Sequence, residues 1–272
     1  VSDPTAIFTL GPAHADGTVS ATGTLASRGP WEAGMTHGGA PGALLTRAVE
    51  ELAAGAGLRV ASIHFTFLGP VPVEGLLVRA RIEKPGRRQQ VATAEIETGG
   101  RIVMIARAVL LRRGDVPLPD GVGEAVPTLA PPDDGVPSGP RFVPAGAVGF
   151  APTAVQILGL PPRADDAPGT VTAWFRLRLP VVEGETPSPA QRAVAAADFG
   201  NGLTEPVPFD DYLFVNCDLY VALQRDPVGE WVALRARTEV DRVGAGVTTA
   251  ELHDVRGRVG TAFQTLFVDA RG

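Results

Sequence analysis

Apolar and polar side chains alternate along much of this chain. Ile63, Phe65 and Phe67 are interleaved with Ser62, His64 and Thr66, the period of two that sends successive side chains to opposite faces of a strand. The pattern predicts four long strands near 59–68, 75–84, 89–98 and 101–111. Pro70 and Pro72 stop the first, and Pro85-Gly86 and Gly99-Gly100 mark turns between the others. Shorter strands are predicted at 7–10 and 18–25, followed by a loop around Gly29-Pro30-Trp31. Between these and the long strands the period changes. Ala40, Ala43, Leu44, Ala48 and Leu52 recur every three or four residues, which predicts a helix over 38–54. Pro41 suits its first turn, where the missing N–H costs nothing, and Gly55 and Gly57 end it.

The chain then repeats itself. Glu74, Arg79-Ala80-Arg81-Ile82-Glu83 and Val91-Ala92-Thr93-Ala94-Glu95 return as Glu230, Arg235-Ala236-Arg237-Thr238-Glu239 and Val247-Thr248-Thr249-Ala250-Glu251, at one constant offset. After one extra residue in a turn, Arg101-Ile102 matches Arg258-Val259, which sets Gln264 opposite Arg107. A period of about half the chain means a duplicated domain and not a solenoid. The second half accordingly predicts strands near 149–157, 168–179, 212–224, 230–241, 246–254 and 258–268, with a helix over 190–197 before the long strands. Between the halves, 113–140 holds Pro117, Pro119, Pro127, Pro131, Pro132, Pro137 and Pro140, so a regular helix or central strand is excluded there. The expected organisation is one domain over 1–112, a linker over 113–140 and a second domain over 141–272. Each domain is a helix wrapped by a curved antiparallel sheet, and two such units make an α+β tandem (double) hotdog. Pairing between the two copies would give one continuous sheet and remove an exposed edge.

Composition narrows the chemistry. The chain has 272 residues, a net charge of −6 and 44% hydrophobic residues. That length suits two domains, and the acidic balance argues against a nucleic-acid partner. No apolar run approaches the roughly 18–20 residues of a membrane span. Val1-Ser2-Asp3-Pro4 does not open a secretory leader, so a cytoplasmic protein is expected. The single Cys217 excludes an intrachain disulfide framework. His14, His37, His64 and His253 lack ligand spacing, and no G-x-G-x-x-G or Walker pattern occurs. No metal and no cofactor are therefore expected. The absence of G-x-S-x-G excludes the nucleophile elbow of α/β-hydrolases.

Several segments carry a family resemblance. Met35-Thr36-His37-Gly38-Gly39 opens the first helix, and Phe67-Leu68-Gly69-Pro70-Val71-Pro72 ends the first long strand. Ala197-Asp198-Phe199, Asn216-Cys217-Asp218-Leu219, Arg225-Asp226-Pro227-Val228-Gly229-Glu230-Trp231 and Phe263-Gln264 follow in the second half. In order and spacing these resemble the acyl-CoA thioesterase-like double-hotdog proteins related to bacterial acyl-CoA thioesterase II. The resemblance implies hydrolysis of fatty acyl-CoA thioesters by an activated water, and a homo-oligomer. It implies a catalytic Asp at Asp198, a Gln at Gln264, and Asn216 where the family keeps a Ser or Thr.

Read by themselves, these residues have specific uses. Asp198 can take a proton from water, or can simply cap a helix. Asn216 falls out of phase with Val215, Cys217, Leu219 and Val221, and so faces the other side of its strand. An amide there can hold a water. His37, Gly38 and Gly39 stand at a helix start, where backbone can approach a ligand closely. Phe65 and Phe67 are candidates to line an acyl pocket, or are ordinary core. Cys217 reads as a buried, inert thiol. Two other functions remain open: a non-catalytic acyl-binding protein, and a hotdog hydratase acting on enoyl thioesters. The latter needs a nearby Asp–His pair, and none stands out in the sequence.

Overall fold

The computed structural model describes residues 3–32, 34–123, 128–140, 143 and 147–271; Val1, Ser2 and Pro127 lie outside these. The first half runs β1 (Phe8–Ala13), β2 (Val19–Gly23), α1 (Gly39–Leu52), β3 (Leu58–Phe67), β4 (Leu76–Lys84), β5 (Gln89–Thr98) and β6 (Arg101–Arg112). The predicted helix stands because its small residues, Gly39, Ala40, Gly42 and Ala43, are all buried. They let a second helix approach: a Cβ at Gly42 would lie 3.0 Å from Val194 Cγ1. Gly55 and Gly57, with φ of 78° and 67°, turn the chain away after α1.

The second half runs β7 (Val136–Pro137), β8 (Val155–Leu160), β9 (Val171–Leu177), α2 (Pro189–Ala197), α3 (Gly200–Thr204), β10 (Tyr212–Asn216), β11 (Asp218–Leu223), β12 (Trp231–Asp241), β13 (Ala245–Asp254) and β14 (Gly257–Ala270). Ser188 caps α2 by accepting from the Gln191 N–H, with Pro189 in the first turn. Three details depart from the sequence pattern. The start of the strand expected at 149–157 is a π-helical turn, Phe150–Ala154. The strand expected at 212–224 breaks at Cys217, and α3 follows α2 after two residues. Among its described residues the proline-rich segment holds a 3-10 turn at Pro132–Asp134 and the two-residue edge strand β7.

Among the described residues the strands form one fourteen-stranded sheet, ordered β1-β2-β4-β5-β6-β3-β11-β14-β13-β12-β9-β8-β7, with β10 also pairing β14. The halves join through antiparallel β3 and β11, His64 opposite Tyr220. This is the tandem hotdog with one continuous sheet. The repeat reappears as register: Arg79 pairs with Glu95 across β4 and β5, and Arg235 with Glu251 across β12 and β13. Each arginine also meets an aspartate from outside its hairpin, Asp16 in one half and Asp166 in the other. The bulges coincide as well, after Ile96 in one hairpin and Leu252 in the other. The offset therefore needs no extra residue. Ala92 pairs with Ala108 where Thr248 pairs with Gln264, so Gln264 corresponds to Ala108 and not to Arg107.

Helices α1 and α2 pack against each other, α1 over β4 and β5 and α2 over β12 and β9. Phe65, Leu44, Val194, Phe150 and Phe175 belong to one core shared by both halves.

Candidate active site

Asp198 caps the C-terminus of α2, two residues before α3 begins. That sharp junction is held from below by Gln264, buried on β14. Its Oε1 accepts from the Asn201 N–H at 3.0 Å, and its Nε2 donates to the Asp198 carbonyl oxygen at 3.3 Å. Gly200 leaves room for this amide, since a Cβ there would lie 2.7 Å from Gln264 Oε1.

Asn216 reaches the same place because of a bulge. It pairs with Leu266, yet Tyr220 pairs with Phe263. One extra residue therefore sits on the β10–β11 side, at Cys217. Before the bulge the inward residues include Phe214; after it they are Leu219, Val221 and Leu223. The break turns Asn216 inward, and its Nδ2 donates to Asp198 Oδ1 at 2.8 Å. Cys217 is pushed outward by the same break. It is exposed and lines the cavity described below, where the alternation had placed it in the core.

The third side chain comes from the other half. The segment before α1 is laced to the loop leaving β3, where Thr36 N–H donates to the Val71 carbonyl, and to the turn after β2, where His37 N–H donates to the Ser27 carbonyl. His37 is thereby set against the α2–α3 junction and the π-helical turn, its ring 4.5 Å from Phe199 and 5.0 Å from Phe150. Its Nδ1 lies 2.9 Å from Asp198 Oδ2. An Asp–His pair is thus present, formed across the two halves, where none was apparent from spacing. Nδ1 also accepts a hydrogen bond from the Gly39 N–H at 3.2 Å.

Glycine makes this approach possible. A Cβ at Gly38 would lie 2.9 Å and 3.0 Å from the two Asp198 carboxylate oxygens. One at Gly39 would lie 2.9 Å from the Ala195 carbonyl oxygen and 3.0 Å from Phe150 Cε1. The Gly38 N–H, just ahead of the fourteen-residue α1, has no acceptor among the described residues.

Over this cluster lies a cavity of about 440 Å³, lined by both halves. His37, Gly38, Phe67, Asp198, Asn216 and Cys217 border it, with Trp31, Met35, Val71 and Pro152 making much of the rest apolar. Of the residues singled out in the sequence, Asp198, Asn216, His37, Gly38 and Phe67 converge here. Gln264 stands behind them, holding backbone, and is not part of the lining. Gly39 is buried at the helix contact. Phe65 is core, 0% exposed, and does not line the cavity. The His37–Asp198 contact had one signal in the sequence, the glycines at 38 and 39 that permit close packing. Among the described residues no group of three or more His, Cys, Asp or Glu side chains is placed to hold a metal ion. No helix is long and apolar enough to cross a membrane.

The two halves of the tandem hotdog thus meet at a cluster of polar side chains under a largely apolar cavity. The sequence fits two family models in tandem, the acyl-CoA thioesterase N-terminal domain over residues 27–111 and the acyl-CoA thioesterase C-terminal domain over residues 124–268. The chain belongs to the acyl-CoA thioesterase family and is a thioester hydrolase. Among solved structures it is similar to a proposed thioesterase II from Thermobifida fusca, at 17% identity, 95% coverage of both chains and a TM-score of 0.73. It is also similar to an acyl-CoA thioesterase II from Mycobacterium marinum, at 12% identity, 97% and 95% coverage and a TM-score of 0.65. A hot dog fold protein of unknown function from Alicyclobacillus acidocaldarius matches at 18% identity, 94% coverage of both chains and a TM-score of 0.69. At these identities the likeness is one of fold. No curated protein sequence matches the chain.

Proposed function

We propose that this chain hydrolyses fatty acyl-CoA thioesters by attack of a water activated at the Asp198 cluster. The observation that carries the reading is the meeting of Asp198, Asn216 and His37 at the N-terminus of α1, under one apolar cavity. A carbonyl oxygen set at the free Gly38 N–H would be polarised by that donor and by the helix dipole. Phe67, Met35 and Val71 offer the acyl chain an apolar wall. Asn216 stands where the family keeps a hydroxyl, and like a hydroxyl it donates to the carboxylate. Gln264 serves by fixing the backbone that carries Asp198. The test is release of free thiol from acyl-CoAs of graded chain length. Turnover is expected; saturable binding without release would favour an acyl-binding role.

The His37–Asp198 pair supports a second reading, addition of water to an enoyl thioester. That reaction removes the conjugated enoyl absorbance and releases no thiol, so the two activities separate in one assay. We also read the chain as a cytoplasmic homo-oligomer built of hotdog units 1–112 and 141–272 joined by the linker 113–140. Tyr220, Phe263, Phe267 and Val247 are exposed on the sheet's outer face, apolar surface that a second copy would cover. Light scattering should give a mass that is a multiple of 28.2 kDa.

A further inference from the structure

Of the three side-chain amides around Asp198, two are engaged within the protein and one is not. Asn216 donates to the carboxylate, and Gln264 commits both ends to backbone. The Asn201 side chain makes no hydrogen bond among the described residues, yet neither of its polar atoms is fully enclosed. The residue is 6% exposed and lines the cavity, so the open part of the amide faces that space. It is also held still. Its N–H donates to Gln264 Oε1 at 3.0 Å. Its carbonyl accepts from the Glu205 N–H at 3.0 Å and from Thr204 Oγ1 at 3.2 Å. Thr204 is tied in turn to Thr238, and Thr238 to Thr248, at 2.6 Å and 2.7 Å. The first half lacks these anchors: Ala92 and Ala108 stand where the second half has Thr248 and Gln264. Asp198 and Phe199 both have right-handed helical backbone. Asn201 therefore comes one turn after Asp198, on the same face, with about 5–6 Å between such Cβ atoms. An amide fixed there and facing an apolar ligand would lose its bonds to water and gain none, so its position calls for a polar partner on the substrate.

We propose that Asn201 binds the leaving-group side of the thioester, by a hydrogen bond to the amide that lies two methylenes from the sulfur in the pantetheine arm of CoA. This rests on the thioesterase reading above. The acyl chain offers an amide no partner. On that reading the thioester carbonyl is taken by the Gly38 N–H and the water by Asp198. The pantetheine amide is the next polar group along the substrate, and its short distance from the sulfur suits the one-turn spacing of Asn201 from Asp198. Asn201 has an NH2 to donate and an oxygen to accept, so it can meet the C=O or the N–H of that amide. No bond forms or breaks at Asn201. It fixes where the sulfur lies relative to the Asp198 cluster, and it favours thioesters whose thiol carries an amide at this distance.

The test compares two thioesters of one acyl group. The N-acetylcysteamine thioester keeps this amide and little else of CoA; the butanethiol thioester has no amide. The readout is the ratio of their kcat/KM values for thiol release. The wild type should prefer the amide thioester about 3–10-fold. Asn201→Ala keeps both backbone hydrogen bonds and should lower that preference by the same factor, through a higher KM for the amide thioester. KM for the corresponding acyl-CoA should rise alongside it. An equal fall in kcat for both thioesters would place Asn201 at the reacting carbonyl or the water, and overturns the proposal. Rates unchanged for both overturn it too. Either result leaves the thioesterase reading standing. A wild type that releases no thiol from any acyl-CoA overturns that reading, and the proposal with it. If Asn201→Ala does not fold, a wild-type ratio near one overturns the proposal by itself.

Discussion

Gln264 and His253 are both nearly inaccessible to water, and their surroundings assign them opposite behaviour. Gln264 commits both ends of its amide to backbone groups at the α2–α3 junction. Gln264→Ala leaves the buried Asn201 N–H and Asp198 carbonyl without partners, at about 1–3 kcal/mol for each group. A fall of several degrees in Tm is expected together with loss of thiol release, since the turn that carries Asp198 loosens. A Tm unchanged within one degree or so would return Gln264 to a purely chemical role. His253 is 3% exposed. Burial holds its pKa below the ordinary value of 6.5, outweighing the hydrogen bond and charge of Glu251 that act to raise it. Its buried Nδ1 has no partner to receive a second proton. The unfolded chain therefore binds that proton first as pH falls. Stability is intact above the ordinary histidine range and declines as pH drops below it toward the depressed folded value. Denaturant midpoints at two pH values should drop more in the wild type than in His253→Gln. Equal drops would show that His253 does not titrate in this way.

At the scale of elements, what was legible in the sequence is what alternates or repeats. β3 through β6 and β12 through β14 follow the period-two pattern, and the shared offset survives as identical cross-strand register. α1 was legible because its apolar spacing, first-turn Pro41 and terminal glycines agree. The bulge at Cys217 was not, since Asn216-Cys217-Asp218 contains no glycine or proline to announce it. Its cause is tertiary: the Cys217 N–H donates to the Thr265 carbonyl and its carbonyl accepts from the Phe67 N–H, so two strands hold the irregular residue between them. The alternation therefore gave Asn216 a face relative to Cys217 but could not predict the change of phase. Asp198, Asn216 and Gln264 came from the family resemblance, and nothing in local spacing could pair His37 with a carboxylate in the other half. If Asn216 matters as a donor to Asp198 at 2.8 Å, Asn216→Thr should keep thiol release within about tenfold, because a hydroxyl also donates. Asn216→Val, similar in size to Thr, should lose most of it. Equal rates in the two variants would remove Asn216 from the chemistry.

The whole molecule depends on the β3–β11 seam for both its stability and its site. Ile63, Phe65, Leu219 and Val221 lie on the paired strands and are at most 1% exposed. Full burial of each such side chain contributes about 1.5–3 kcal/mol relative to exposure. Separation of the halves would also leave β3, ten residues long, as an open edge carrying unpaired backbone groups, the situation that invites aggregation. His37 and Gly38 reach the cavity from one side of the seam, Asp198 and Asn216 from the other. The outer edges of the sheet are better protected, since β1 carries an irregularity after Leu10 and β7 is two residues ending in Pro137. Residues 1–112 and 141–272 produced separately should thus be largely insoluble and should release no thiol. Produced together, they should pair through the same strands, remain soluble and recover thiol release. If residues 1–112 proved soluble, monomeric and active without the second half, neither the seam nor the shared site could have the role argued for it.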